Sequence, residues 1–252
     1  MRNTWGMSLA VCLALTAGSR VRADDQADMK ALLGKAIKAV GGEKKIAKNK
    51  AVTWNFKGKI FVIGNGAPYT AEWLVQAPGQ AKATITVEIN CASVTIVKVL
   101  NKTKGWEKVA DKTIDMNKSQ LAEFKDQIYF FWLTTLVPLK DKAFKLTLLD
   151  EAKVDGKPAV GVKVTHADYP EVKLYFDKKT HLLVKSQWQS RAAEQKFKEV
   201  TAEMHYSKYQ EIEGAQVPTR VVLNRDGELF VEADLSDVKT VSKHEPGTFD
   251  KP

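Results

Sequence analysis

Side chains able to do chemistry are few and scattered. His166, His181, His205 and His244 form no close pair and no His-Glu-x-x-His helix motif, the spacing that sets two ring nitrogens on one zinc ion. No Gly-x-Ser-x-Gly elbow or Walker loop occurs. His166 and His205 fall on polar strand faces and His181 in a turn, so all three are expected to be solvated. Glu72, Glu88, Glu107, Glu203 and Glu232 occupy the polar positions of alternating runs. Two carboxylates there would suit acid–base work, but charged outer faces are also how strands avoid pairing with other chains. Cys91 has no recognisable partner and sits in a strand-like run, so it is expected to be a small buried hydrophobe. These residues point away from an enzyme, and no cofactor or metal is expected.

The lysines have a pattern of their own. Lys30, Lys35, Lys38, Lys44, Lys45, Lys48, Lys50, Lys57 and Lys59 share a window with a single acid, Glu43. Nucleic-acid binding favours arginine forks with aromatic stacking, and this cluster has neither. A solvated helix face is the plain reading. A sharper one is contact of Lys35, Lys38, Lys44, Lys45 and Lys48 with anionic lipid head groups.

The first residues read as an address. Arg2 precedes a short apolar run, Trp5 to Ala17, too short to span a bilayer, and Val21-Arg22-Ala23 offers a small-x-small cleavage site. The expectation is a signal peptide over 1–23, periplasmic or otherwise secreted localisation, and one mature domain over 24–252. Cys12 follows Val11, where lipoprotein processing wants a small residue, so lipidation is not expected. Of 39 basic residues the leader takes Arg2, Arg20 and Arg22, leaving 36 against 30 acids, or +6.

The remaining elements are legible from periodicity. Met29, Leu32, Leu33, Ala36, Ile37 and Val40 repeat at helical spacing, with Asp24 and Asp25 as a capping start and Gly41-Gly42 as a stop. A further turn, Glu43 to Lys48, carries Ile46 inward. From Val52 the period becomes two, and strand-like runs follow to Val109, broken by Gly64-Asn65-Gly66 and Pro78-Gly79. Asn117-Lys118-Ser119-Gln120 resembles a capping box. Leu121, Phe124, Ile128, Trp132 and Leu136 follow at helical spacing until Pro138, and Ile128 to Leu133 is apolar nearly all round, as in a helix buried on most sides. Strands resume at Phe144, with turns at Asp155-Gly156, Glu213-Gly214 and Asp226-Gly227. About a dozen strands joined by tight turns predict an antiparallel meander.

A dozen strands with one apolar face outstrip their cover. Strands lie ~4.8 Å apart and a helix is ~10 Å across, so two helices cover about half the width. The rest is closed by curling or by an apolar ligand. The predicted fold is α+β, mostly β: one long antiparallel sheet curled into a half-barrel, with an N-terminal helix and a mid-chain lid helix over the concave apolar face. Candidate cavity residues are Trp54, Phe56, Trp73, Ile85, Val87, Trp106, Ile128, Phe131, Trp132, Phe144, Leu146, Val162, Leu174 and Phe176. Plain core is the default reading for any one of the aromatics among them.

Three local pieces resemble the periplasmic outer-membrane lipoprotein-sorting (LolA-like) superfamily. Residues 39–46, AVGGEKKI, resemble its opening helix and turn. Residues 174–185, LYFDKKTHLLVK, resemble its strand, D-x-x-T-G-L, strand hairpin, with His181 where glycine is usual. Residues 248–252, TFDKP, resemble its terminal aromatic-x-x-Pro. The resemblance implies a half-barrel whose lidded cavity binds an acyl chain, a lipid or a lipidated protein without catalysis; the family's arginine roles are not carried over, because Arg191, Arg220 and Arg225 match no motif position. It also leaves open a partner-binding or envelope-sensor module using the sheet edge or convex face. A monomer is expected, making transient contact with an anionic membrane surface.

Overall fold

The computed structural model describes residues 23–47, 50–62 and 65–252, with backbone alone for 23–26. The leader with Arg2 and Cys12, the Asp24 and Asp25 side chains, Lys48 and the Gly64 turn position lie outside the described residues. The chain opens with α1 (Ala23–Ala39) and a single turn, α2 (Glu43–Ile46). Six strands follow: β1 (Ala51–Ile60), β2 (Ala67–Gln76), β3 (Gln80–Ile89), β4 (Ala92–Asn101), β5 (Lys104–Val109) and β6 (Lys112–Asp115). Then come α3 (Lys118–Thr134), β7 (Lys145–Leu148), β8 (Ala152–Val154), β9 (Lys157–His166), β10 (Tyr169–Asp177), β11 (Leu183–Ala192), β12 (Lys198–Ile212), β13 (Ala215–Arg225) and β14 (Glu228–Val241).

Tight turns make the sheet antiparallel throughout. Asp155-Gly156, Glu213-Gly214 and Asp226-Gly227 hold positive φ at both residues. That mirror-image turn matches the twist of paired strands. Asn90-Cys91 does the same, with φ of 49° and 64°. The strand reading of Cys91 is therefore corrected: the residue is the second position of the β3–β4 turn, and its thiol is exposed. The hairpin after β10 keeps a left-handed residue where the related motif has glycine. His181 adopts φ 59°. Asp177 Oδ1 accepts from the Lys179 and Thr180 amides at 2.9 and 2.7 Å, which fixes the loop without glycine.

The fourteen strands form one unclosed sheet, ordered β6-β5-β4-β3-β2-β1-β14-β13-β12-β11-β10-β9-β7, with β8 beside β9. It is a half-barrel. Both edges are four-residue strands, which limits pairing with foreign chains. Two meanders meet at a central seam, where β1 pairs with β14 from Ala51↔Val241 to Ile60↔Val231. Gly58 is required there, because a Cβ would lie 1.9 Å from the Glu232 carbonyl oxygen.

α3 begins at a complete capping box. Asn117 Oδ1 accepts from the Ser119 and Gln120 amides, and Gln120 Oε1 accepts from the Asn117 amide. It ends at Thr134, before the Leu136 that periodicity includes. Thr134 and Thr135 hydroxyls donate to the Phe131 and Trp132 carbonyls. Leu136 then turns left-handed at φ 66°. Hydroxyls that take up the last carbonyls compete with helix continuation.

α3 is apolar nearly all round because it meets three surroundings. Phe124 and Ile128 enter a core with Trp54, Trp73, Val75 and Leu100, where Ala71, Ala81 and Ala83 leave room for the rings. Tyr129, Phe130 and Leu133 enter a second core with Ala36 and Ile37 of α1 and with Val162, Val164, Val172, Leu174 and Phe176. Phe131 and Trp132 are only part-buried and belong to the space between. The chain after β14 runs along the strand ends toward β6. His244 Nε2 lies 3.2 Å from the Val75 carbonyl, Phe249 stacks edge-on against its ring, and Thr113 Oγ1 donates to the Pro252 carbonyl at 2.7 Å.

Candidate functional site

Between the two cores, over β12, β13, β14 and β1, a cavity of ≈ 790 Å³ remains. Its floor is Met204 and Tyr206 of β12, Val217 and Val221 of β13, Leu235 and Val238 of β14, and Val52, Trp54 and Phe56 of β1, alternating except at the β14 bulge, where Asp237 has φ 53° and the register to β1 shifts. Register aligns these positions on one face, with Tyr206 opposite Val221 and Leu235 opposite Phe56. The roof is Phe131 and Trp132 of α3, with Val40 and Ile46 at the α1–α2 corner.

Aromatic packing stiffens one wall. Trp54 and Trp73 stack with centroids 5.9 Å apart, and Phe131 sits edge-on to both, at 5.3 and 5.2 Å. At the other wall Tyr206 Oη is 2.9 Å from Ser186 Oγ, and Tyr209 Oη donates to the Leu183 carbonyl at 2.6 Å. Burial pushes both phenols well above their ordinary pKa, so both stay neutral. The lining residues that are exposed mark the mouth: Ala47, Lys50, Thr135, Glu213, Ser242 and Lys243. The α1–α2 corner is tied there to the β12–β13 turn, since the Gln216 amide donates to the Val40 carbonyl.

Of the fourteen candidates, Trp54, Phe56, Phe131 and Trp132 line the cavity. Trp73 and Ile128 lie in the α3–β2 core, with Ile85 packed against it. Phe144, Val162, Leu174 and Phe176 lie in the other core, with Leu146 against it. Val87 pairs with Tyr69 and Val94 at the far end of β3, part-buried and away from the cavity. Trp106 is a correction. It pairs in register with Val99, while its neighbour Glu107 reaches Lys98 at 3.9 Å, and Lys98 reaches Glu123 of α3 at 3.8 Å. The charged residue therefore faces the helix and Trp106 the convex side.

Lys35, Lys38, Lys44 and Lys45 are exposed. Lys45 lies against Gly214, beside the mouth. His166 shares the inward parity of Val164 and stacks between Phe144 and Tyr169, at 4.9 and 5.0 Å, which overturns the solvated reading. His205 lies 3.3 Å from Asp155. Among the described residues, no three His, Cys, Asp or Glu side chains converge as a metal-ligand set. Nor is any described helix long and apolar enough to cross a membrane.

No protein-family model matches the sequence, and no curated protein matches it. Solved structures do. A LolA superfamily protein from Nitrosomonas europaea superposes with a TM-score of 0.55 at 15% identity, over 88% of this chain and 97% of that one. The chain has the LolA-like fold. A DUF1329 family protein from Desulfovibrio piger gives 0.54 at 13% identity, over 88% and 96% of the two chains. A domain assigned to outer membrane lipoprotein sorting, from Vibrio parahaemolyticus, gives 0.52 at 12%, over 87% and 96%. At these identities the likeness is one of fold. Within the LolA-like half-barrel, the cavity described above is the space its two helices leave uncovered.

Proposed function

We propose that the protein is an exported, non-catalytic carrier that holds an acyl chain, a lipid or the lipid part of a lipidated protein in the central cavity. The observation that carries this reading is the ≈ 790 Å³ apolar space between two separately packed cores. It falls within the ~300–1,000 Å³ usual for small-molecule sites. At ~30 Å³ each it has room for roughly 26 water-sized groups. The driving force is desolvation, about 0.8 kcal/mol for each buried methylene. A cargo of the kind named for the Vibrio parahaemolyticus protein, a lipoprotein, has the chemistry such a space accepts.

In this reading residues 1–23 are removed on export and 24–252 work as a periplasmic monomer. The end of α3 bearing Phe131 and Trp132 shifts to admit the chain. Lys35, Lys38, Lys44, Lys45 and Lys48 meet anionic head groups during transfer. Mass spectrometry of organic extracts of the purified protein is the test. Co-purified lipid supports the carrier. A clean extract, with no uptake of a fluorescent fatty acid, refutes it. Trp132→Ala should weaken fatty-acid binding, and unchanged affinity would remove Trp132 from the roof role.

One observation favours a second reading, a partner-binding module. A groove of ≈ 700 Å³ on β3–β5 is lined by Val97, Val109, Lys82 and Lys108 near Pro252. It lies on the convex side with Trp106. A clean extract together with a captured envelope protein, lost on Val97→Asp, would support it.

A further inference from the structure

The cavity's polar groups are distributed unevenly. Within the lining, the Thr134 and Thr135 hydroxyls donate to helix carbonyls, the Tyr209 hydroxyl to a strand carbonyl, and Tyr206 is bonded to Ser186. The Trp54 indole nitrogen is fully buried in the aromatic wall and has no hydrogen-bond partner. Gln76 is engaged at both ends: its Nε2 donates to Gln80 Oε1 at 2.8 Å, and its Oε1 accepts from the His244 amide. Most polar groups along these walls are thus already engaged, and the remaining wall is largely hydrocarbon. An oxygen carried into the middle of a ligand would lose its water and gain no partner, a cost that protein data place at ~1–3 kcal/mol or about 5- to 150-fold in affinity.

The mouth is different. Lys50 and Lys243 both line the cavity and both are exposed, so each ammonium can reach water and the bound molecule. Lys45 stands beside the same rim, against Gly214. Glu213 is the only acid among the lining residues, and its carboxylate accepts the Thr240 hydroxyl. The rim is thus net positive, while the interior is neutral and largely hydrocarbon.

We propose that the cavity selects an anionic amphiphile with an unsubstituted hydrocarbon chain: the chain lies along β12, β13, β14 and β1, and the anionic head group stays at the mouth between Lys50 and Lys243. This rests on the carrier reading and adds to it the polarity of each end of the cargo. A carboxylate and a phosphate head share the chemistry that two lysines recognise, and neither requires a bidentate donor. Rim ion pairs of this kind are screened, so the preference should shrink as salt rises while the hydrocarbon contribution persists.

The test uses the purified, delipidated protein with the neutral dye N-phenyl-1-naphthylamine as reporter. Octadecanoate, octadecyl phosphate, octadecan-1-ol and 12-hydroxyoctadecanoate compete for it at pH 8. The expected order is octadecanoate and octadecyl phosphate together, tighter than the alcohol by roughly tenfold at low salt, and tighter than the hydroxylated acid by at least ~5-fold. Lys50→Glu with Lys243→Glu should bring octadecanoate and octadecan-1-ol to similar affinities, with the fold checked by circular dichroism. The exposed positions keep folding out of the readout. Equal binding of acid and alcohol by the unaltered protein, or an acid preference that survives the double substitution, overturns the mouth assignment while leaving the carrier standing. A hydroxylated acid that binds as tightly as the plain one overturns the preference for an unsubstituted chain. Failure of the dye and of every amphiphile to bind overturns the carrier reading itself, and this proposal with it.

Discussion

Leu235→Trp tests the cavity by the sign of a stability change. Leu235 is part-buried on the floor, in register with Phe56, and lines the space. A tryptophan there extends an indole into the void and suits a strand position. It buries about 80 Å² more apolar surface, worth about 2 kcal/mol at ~25 cal/mol per Å². Ordering the larger side chain takes back about 1 kcal/mol, so a net gain of about 1 kcal/mol is expected. In a filled interior the same change overpacks and costs about 1–3 kcal/mol. Urea unfolding of delipidated protein, followed by far-ultraviolet circular dichroism, reads the difference. A second readout is linkage: octadecanoate at about 100 times its dissociation constant should stabilise the unaltered protein by ~2.7 kcal/mol, and the variant by much less. A lowered midpoint with an unchanged slope would refute the open cavity.

Gly58→Ala forces a Cβ to 1.9 Å from the Glu232 carbonyl oxygen and 2.6 Å from the Ala233 Cα, backbone atoms that cannot swing aside. A loss of roughly 3 kcal/mol or more is expected, and an unchanged melting temperature would contradict the β1–β14 register. Asp177 is held below the usual carboxylate range, chiefly by the Thr180 backbone amide. Its contribution is present above the unfolded value near ~3.9 and lost as pH falls through the lower folded value, because the unfolded state binds the proton more tightly there. Asp177→Asn should cost roughly 1 kcal/mol near neutrality and flatten stability against pH below ~4. Acid sensitivity equal to that of the unaltered protein would count against the hairpin's hydrogen bonds. Cys91 should react fully with a maleimide in the folded protein, and Cys91→Ser should move stability by no more than ~0.5 kcal/mol. Protection of the thiol until denaturation would contradict the turn placement.

Local chemistry was readable where it is self-contained. The Asn117 capping box, the three acidic-residue–glycine turns and the alternation of β2, β9 and β12 need no distant partner, and each forms as its sequence dictates. Parity within a strand was readable too, but not which parity faces the helices. Trp106 and Glu107 divide β5 between two faces, and only the reach of Lys98 to Glu107 and Glu123 decides that the charge goes inward. Cys91 escaped because Asn-Cys lacks the glycine that usually marks such a turn. The β12–β14 half of the cavity was missed for a topological reason. Met204, Val221 and Leu235 show strong alternation, yet their place between the two cores follows from the strand order, which no local pattern contains.

The seam has a temporal consequence. β1 and β14 are about 180 residues apart in the sequence and lie side by side beneath the cavity. Contacts of such long span form late and slowly. The cavity therefore has no complete floor until the last strand is delivered. On the carrier reading, loading waits for the finished molecule.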